Sequence, residues 1–187
     1  MNIGKTSHCL IVVKMRLTKI VILFALLASA AFAQQSLRPG NAAPDFNAEA
    51  LDGKIYNLSQ LHGKVVVLTF WSTRCPICHS ELPKLNEVAK RYKDKDVVFL
   101  ALTMENQGKV EPYLRKNAFD FNILPNTFAV FLKYADMDRS GNINMGFPSY
   151  FLINQTGSIS LKSNGWDKIA SIDTQISQLL TSDRAID

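Results

Sequence analysis

Two cysteines three positions apart, Cys75 and Cys78, are the residues of this sequence best suited to chemistry. Thiols at this spacing can form a disulfide, but the loop that it closes is too short to restrict the unfolded chain much. We therefore expect the pair to exchange disulfides with a partner rather than to cross-link the fold. The third cysteine of the chain, Cys9, lies far away near the N-terminus.

The same motif allows two other chemistries. With the next residue it reads Cys75-Pro76-Ile77-Cys78-His79, which also matches the C-x-x-C-H signature of c-type haem attachment, with His79 as the axial ligand. That alternative would make the protein an electron carrier. A zinc site is the weaker alternative, because beyond residues 1–33 only His62 and His79 remain to complete four ligands, and we predict no metal.

The elements around the motif place Cys75 at the start of a helix. Residues 64–71 form an apolar run rich in β-branched side chains, which predicts a strand buried on both faces. After Cys75, Pro76 suits the first position of a helix, and apolar residues follow at helical spacing. Cys75 would lie at the positive end of the helix dipole, beside unpaired N–H groups, so its pKa is expected to be depressed. Cys75 is thus the predicted nucleophile, and Cys78, one turn along and more shielded, the predicted resolving thiol.

The remaining periodicity predicts an α/β domain with a mixed sheet. A strand–helix–strand start implies a parallel pair, and a closing hairpin adds antiparallel strands to the same sheet. The other elements expected, in chain order, are a hairpin at 45–50 and 54–57, a strand at 97–103, helices at 110–116 and 126–134, a polar, turn-rich stretch at 136–144, a hairpin at 149–154 and 158–162, and a C-terminal helix at 169–180.

Residues 1–33 are predicted to be an N-terminal segment with a cleavable signal peptide, and residues 34–187 to form one domain. A short basic region at 15–19 precedes 14 uncharged, mostly apolar residues that end in Ala31-Phe32-Ala33, a small-x-small cleavage pattern. A membrane anchor is the alternative, but a helix of this length spans only about 21 Å of the roughly 30 Å hydrocarbon core. We therefore expect an exported protein, soluble after cleavage, in a disulfide-permissive compartment such as the bacterial periplasm.

Composition and charge exclude other classes of protein. The chain has 187 residues, of which 47% are hydrophobic and 20% charged, as in an ordinary globular domain. Much of the net charge of +5 comes from residues 1–33, which hold four of the 21 Lys and Arg residues and none of the 16 Asp and Glu residues. The rest of the chain is close to neutral, so we predict no nucleic-acid partner.

The segment from Phe70 to Pro83 reads Phe-Trp-Ser-Thr-Arg-Cys-Pro-Ile-Cys-His-Ser-Glu-Leu-Pro. It resembles the active-site segment of thioredoxin-like proteins, and in particular of the TlpA/ResA-type exported thiol–disulfide oxidoreductases. Stretches at 40–46 and 146–157 resemble other parts of that group, so that the likeness covers about residues 38–181. The resemblance implies a thioredoxin fold: α/β, with a mixed central sheet flanked by helices and an N-terminal β-hairpin extension. It also implies a disulfide reductant that serves cytochrome maturation or another exported client.

The resemblance implies further site residues. Cys75 and Cys78 become the redox-active disulfide, and Pro148 the cis-proline beside it, which leaves the backbone of Phe147 free to pair with an extended client. The substrate-binding rim around the sulfurs would comprise Trp71, Pro76, Ile77, Phe147 and Pro148. For Trp71, packing in the core is an equally good explanation.

The partners implied are protein thiol or disulfide clients and a membrane electron donor that re-reduces the pair. No cofactor is expected, because the electrons travel through the sulfurs. Many thioredoxins carry an acid just before the Phe-Trp pair, where this chain has Thr69. Glu105, after the second strand, is therefore the candidate proton acceptor for Cys78, although a solvated loop glutamate is the simpler interpretation. We also expect His79 to be solvated.

A thiol peroxidase of the peroxiredoxin class is another alternative, because those proteins share the fold. Their attacking cysteine follows a Pro-x-x-x-Thr/Ser-x-x pattern. Ser72 fits this pattern, but Leu68 stands at the position of the proline. The haem carrier and the thiol peroxidase thus stay alternatives to the disulfide reductant.

Overall fold

The structure is a computed structural model, which describes residues 36–138 and 140–183. The predicted signal peptide lies outside the described residues, and no helix in the described part of the chain is long and apolar enough to cross a membrane. The strands are β1 (Asn47–Glu49), β2 (Ile55–Asn57), β3 (Val65–Phe70), β4 (Val97–Leu102), β5 (Asn122–Leu124), β6 (Asp136–Met137), β7 (Ile143–Asn144), β8 (Ser149–Ile153) and β9 (Ile159–Asn164). The α-helices are α1 (Pro76–Arg91), α2 (Gln107–Leu114), α3 (Phe128–Tyr134) and α4 (Ile169–Asp183), and a 3-10 turn spans Leu58–Leu61.

Strand β3 is the centre of a five-stranded sheet with the order β5–β4–β3–β8–β9. It pairs in parallel with β4 and antiparallel with β8, and β8 pairs antiparallel with β9. All six residues of β3 are buried, because its Val-Val-Val-Leu-Thr-Phe sequence suits a sheet that is covered on both faces. The predicted mixed sheet is confirmed, and so is the N-terminal hairpin, formed by β1 and β2.

Alternate side chains of β3 enter two separate cores, because successive residues of a strand point to opposite faces of the sheet. Val65 and Val67 pack in one core with apolar residues of α1 and α4. Val66 and Leu68 pack in the other core with residues of α3 and the N-terminal hairpin. Helices therefore lie on both faces of the sheet, as the predicted fold class requires.

The register of the sheet brings the cysteine motif and Pro148 together. Phe70, the last residue of β3, lies opposite Ser149, the first residue of β8. The end of β3, from which the chain continues to Cys75, and the start of β8, which follows Pro148, therefore lie side by side at the same end of the strands. Strand β4 also ends opposite Phe70, so that residues 103–105 follow at this end.

The structure differs from the sequence-based prediction mainly at three places. Strand β5, parallel to β4, was not predicted, because three residues are too short for a periodic pattern. Helix α2 begins at 107 rather than 110, because the side chain of Asn106 caps it and accepts the N–H of Lys109. The polar stretch contains the β6–β7 hairpin, whose turn is closed by the Asp138 carboxylate accepting N–H bonds from Ser140 and Asn142.

Candidate active site

Cys75 and Cys78 form a disulfide at the start of α1, with their Cα atoms 5.2 Å apart. Cys75 is the N-cap of the helix, and the backbone N–H of Cys78 donates to the Cys75 sulfur at 3.1 Å. Cys75 is half-buried, whereas Cys78 is only 3% exposed. Of the two cysteines, the more exposed residue is thus also the one placed where N–H groups and the helix dipole stabilise a negative charge.

Thr73, two residues before Cys75, is held by three hydrogen bonds to two titratable side chains. Its backbone N–H donates to Glu105 Oε2 at 2.7 Å, and its hydroxyl donates to Oε1 at 2.8 Å. Its carbonyl oxygen lies 2.7 Å from His79 Nε2, which must donate because a carbonyl only accepts. These contacts fix the turn that carries the chain from β3 to Cys75.

Glu105 is largely buried, not solvated, since its side chain is only 9% exposed. Burial alone would raise the pKa of Glu105, but hydrogen bonds from Thr73, Thr103 and Ser72 outweigh that effect and hold the pKa below its usual value. Within the described residues, no hydrogen bond of this carboxylate involves Cys78. The contacts support a role in positioning Thr73, and the predicted role as proton acceptor for Cys78 stays a prediction.

His79 is exposed, as expected, but it is also anchored. Its ring lies against Tyr113 with the centroids 4.8 Å apart, while Nε2 donates to the Thr73 carbonyl. The turn before Cys75 is therefore held both by His79 of α1 and by Glu105.

The peptide bond between Phe147 and Pro148 is cis, and Pro148 is buried. Within the described residues, neither the backbone N–H nor the carbonyl of Phe147 takes part in a hydrogen bond. The Phe147 side chain is half-buried and lies against Phe131, with ring centroids 6.0 Å apart. The backbone of Phe147 is thus available to an extended segment of another chain.

The other residues of the predicted rim differ in exposure. Pro76 is exposed and Ile77 is half-buried, so that both are accessible from solvent. Trp71 is 1% exposed and packs on Tyr113 and Phe119, with ring centroids 5.4 Å from each. For Trp71 the structure supports packing in the core.

Glu81 is a functional candidate that the sequence analysis did not single out. It is 0% exposed, three residues after Cys78 on α1, and neither carboxylate oxygen has a hydrogen-bond partner within the described residues. Lys84 Nζ lies 3.8 Å from Glu81 Oε1. Burial raises the pKa of the Tyr150 phenol, and the negative charge of Glu81 raises it further. A buried carboxylate without hydrogen bonds lowers the stability of the fold, which makes Glu81 a candidate for a functional role. The sequence feature that could have identified Glu81 is its position as an acidic residue on the helix face that also carries Cys78 and Leu85.

The disulfide at the start of α1 and the mixed sheet behind it place the protein in the class of thioredoxin-like thiol–disulfide oxidoreductases. Comparison with protein families matches residues 38–176 to Redoxin, and the chain belongs to that family. The resemblance found in the sequence is therefore confirmed, together with the fold class that it implied.

Individual proteins similar to this chain carry related names. "Thioredoxin-like protein YneN" of Bacillus subtilis is 29% identical over 123 residues, which cover 66% of this chain and 69% of that protein. "Thiol-disulfide oxidoreductase ResA" of Bacillus cereus is 28% identical over 159 residues, which cover 80% of this chain and 87% of that protein.

Two solved structures are similar in fold. A putative thiol:disulfide interchange protein DsbE from Chlorobium tepidum has a TM-score of 0.68 and 26% identity, and the match covers 78% of this chain and 99% of that one. A putative protein disulfide isomerase from Bacteroides thetaiotaomicron has a TM-score of 0.67 and 28% identity, and the match covers 78% of this chain and 91% of that one.

Proposed function

We propose that this protein is an exported disulfide reductant, which transfers two electrons to the disulfides of protein clients through Cys75 and Cys78. The proposal depends on one observation: Cys75 caps α1 and is the more exposed cysteine, while Cys78 is 3% exposed. Export is supported by the signal-peptide pattern in residues 1–33. The reducing direction is supported by the resemblance to TlpA/ResA-type proteins.

In the first step, the Cys75 thiolate attacks one sulfur of the client disulfide. A mixed disulfide forms, and the other client sulfur leaves as a thiolate. Before the attack, the Cys78 N–H, which lies 3.1 Å from the Cys75 sulfur in the disulfide form, stabilises the thiolate together with the dipole of α1. Cys75 is the nucleophile in this proposal because a client can reach it more easily than Cys78.

In the second step, Cys78 attacks the Cys75 sulfur, which closes the disulfide and releases the second client sulfur as a thiolate. Cys78 must first lose its proton where little water reaches it. We assign this proton to Glu81, because side chains three apart lie on one face of a helix and the Glu81 carboxylate has no hydrogen bond within the described residues. Two electrons from a membrane dithiol donor then restore the reduced pair.

The client is proposed to bind as an extended segment beside the disulfide. The N–H and carbonyl of Phe147, which form no hydrogen bond within the described residues, offer it backbone hydrogen bonds, in the manner of an added strand. The side chains of Pro76, Ile77 and Phe147 offer apolar contacts around Cys75. An exported protein with an accessible disulfide, such as one that awaits cytochrome maturation, fits these requirements.

The two alternative functions fit the site less well. A c-type haem carrier would bond both sulfurs to haem and use His79 as a ligand, whereas the chain belongs to the Redoxin family and resembles a thiol:disulfide interchange protein in fold. A thiol peroxidase is compatible with the fold. However, the relatives named above are called thioredoxin-like protein and thiol-disulfide oxidoreductase, which favours disulfide exchange.

Reduction of insulin disulfides, followed by turbidity with dithiothreitol as the electron source, tests the proposal. We expect turnover by the wild-type protein and none by Cys75→Ser. When reduced Cys78→Ser is freed of dithiothreitol and then mixed with insulin, we expect a trapped mixed disulfide that is visible by mass spectrometry. Activity in the Cys75→Ser variant would contradict the assignment. Rapid peroxide consumption without insulin reduction would instead support a thiol peroxidase, and a reduction potential near about −120 mV rather than about −270 mV would indicate an oxidant.

A further inference from the structure

We infer that a groove beside the active-site turn selects clients whose reactive cysteine has an acidic neighbour, through Arg74 and Lys109. This inference rests on the proposed function, because it specifies the clients of the same site. The groove has a volume of about 390 Å³. Its lining includes Trp71, Arg74, Met104, Glu105, Lys109 and Phe147.

The exposed charges of the groove are both positive. The Arg74 side chain is 84% exposed, and Lys109 is exposed as well. Glu105 is the acid of the lining, but it is 9% exposed and its oxygens accept the N–H and hydroxyl of Thr73. A carboxylate that enters the groove from solvent therefore meets two cations and an acid that is already hydrogen-bonded.

Both cations have donors to spare for a partner. Arg74 Nε lies 3.9 Å from Glu105 Oε1, which is an ion pair but too long for a hydrogen bond. Since the Arg74 guanidinium donates no hydrogen bond to a residue that the structure describes, its donors are available to another carboxylate. Lys109 forms no ion pair with any of the residues that the structure describes.

The position of the groove points to an extended polypeptide as its occupant. Arg74 directly precedes Cys75. Phe147, whose backbone groups form no hydrogen bond in the described part of the chain, lines the same groove. A client whose cysteine reaches Cys75 while its backbone pairs with Phe147 must place flanking side chains near Arg74 and Lys109. Acidic flanks gain attraction and faster encounter there, whereas a lysine meets charges of its own sign.

The test uses the whole reduced chain, with Cys9→Ser in every sample so that no thiol outside the pair reacts, and short peptides that differ only in the residue after their single cysteine, which is Glu, Gln or Lys. Each peptide cysteine is activated as a disulfide with 2-thiopyridine, an uncharged leaving group. The Cys75 thiolate attacks the peptide sulfur, 2-thiopyridone leaves, and a Cys75–peptide disulfide forms. Cys78 then displaces the peptide thiolate and closes the Cys75–Cys78 disulfide. Absorbance of 2-thiopyridone gives the second-order rate constant of the first step.

We expect the Glu peptide to react about two- to five-fold faster than the Gln peptide at low ionic strength, and the Lys peptide to react more slowly than the Gln peptide. This preference should shrink toward one in 1 M salt, where the Debye length is about 3 Å. In the variant R74Q/K109Q the Glu-to-Gln ratio should fall to about one, and R74E/K109E should reverse it. The ratio cancels any effect of Arg74 on the reactivity of Cys75 itself.

A matched control is Lys93→Glu, an exposed cation just beyond the other end of α1. It lies about 24 Å from the disulfide along the helix axis, so the same charge change should leave the ratio intact. A wild-type ratio near one, or a preference that survives R74Q/K109Q, overturns the inference. R74Q/K109Q could also slow the reaction of the reduced protein with oxidised glutathione and leave the peptide preference unchanged. That result would overturn the inference in favour of a site for small anions. Failure of the proposed function looks different: no peptide would release 2-thiopyridone, or release would survive Cys75→Ser.

Discussion

The variant Glu105→Gln tests whether an ionised carboxylate holds the turn before Cys75. The carboxylate accepts two hydrogen bonds from Thr73, at 2.7 and 2.8 Å, in a largely buried position. A Gln side chain keeps one acceptor oxygen and puts a donor in place of the other. Hydrogen bonds to charged groups contribute about 1.5–3 kcal/mol and neutral ones about 1 kcal/mol. The Thr73 hydroxyl can rotate to accept a hydrogen bond from the amide, so both contacts persist in the variant as weaker, neutral hydrogen bonds. We therefore expect the free energy of unfolding at pH 7 to fall by about 2 kcal/mol.

The pH dependence of this difference has a definite sign. Burial opposes ionisation of Glu105, but the hydrogen bonds from Thr73 outweigh it, so that the pKa of Glu105 is lower in the folded protein than its usual value of 4.5. The stabilisation is therefore complete above the pKa of the unfolded chain and is lost as the pH falls through the pKa of the folded protein. The difference between wild type and variant should be constant near neutral pH and should shrink below about pH 4.

Urea unfolding at pH 7 and at pH 3, followed by the fluorescence of Trp71 and Trp166, measures both quantities. Glu87→Gln is the matched control, since Glu87 is exposed on α1, and we expect it to change the free energy of unfolding by less than about 0.5 kcal/mol. Equal stability of wild type and Glu105→Gln at pH 7 would refute the assigned role of the carboxylate. A difference of the same size at both pH values would also refute it.

Two further variants test other parts of the molecule. Glu81→Gln should slow the second chemical step, so that a mixed disulfide on Cys75 accumulates in acid-quenched samples while the first step keeps its rate; equal slowing of both steps would indicate a merely structural role. Tyr92 donates to Asp173 Oδ1 at 2.9 Å, and burial together with this bond raises the pKa of Tyr92 to about 12. The free energy of unfolding of the wild-type protein should therefore fall as the pH rises from about 10 to about 12. Tyr92→Phe should be about 1 kcal/mol less stable than wild type at pH 7, and its free energy of unfolding should fall less between about pH 10 and about pH 12. Identical alkaline unfolding profiles of Tyr92→Phe and wild type would contradict this.

The parts of the site that local sequence determines could be predicted. Strand β3 is apolar on both faces, and Pro76 marks the first helical residue, so that the place of Cys75 at a helix N-terminus follows from neighbouring residues alone. The fold class followed from the order of such elements and from the resemblance. The cis peptide bond at Pro148 was predicted from the resemblance alone, because nothing in the local sequence distinguishes a cis proline from an ordinary trans proline at the start of a strand.

The parts that depend on distant contacts could not be predicted. Glu105 reaches Thr73 across 32 residues, and no local pattern indicates that pairing. The sequence places Glu81 on the face of α1 that carries Cys78, but its complete burial depends on the sheet and on α1 packing together. Strand β5 forms because β4 offers it an edge, although its three residues carry little signal of their own.

Alkylation of the fully reduced protein by iodoacetamide, followed by mass spectrometry across a range of pH, tests most directly whether Cys75 is the ionised and accessible sulfur. We expect Cys75 to be modified first, with a pKa below the value of about 8.5 for an ordinary thiol, and Cys78 to react slowly. Earlier modification of Cys78, or a pKa of Cys75 at or above about 8.5, would contradict the proposed division of roles between the two cysteines.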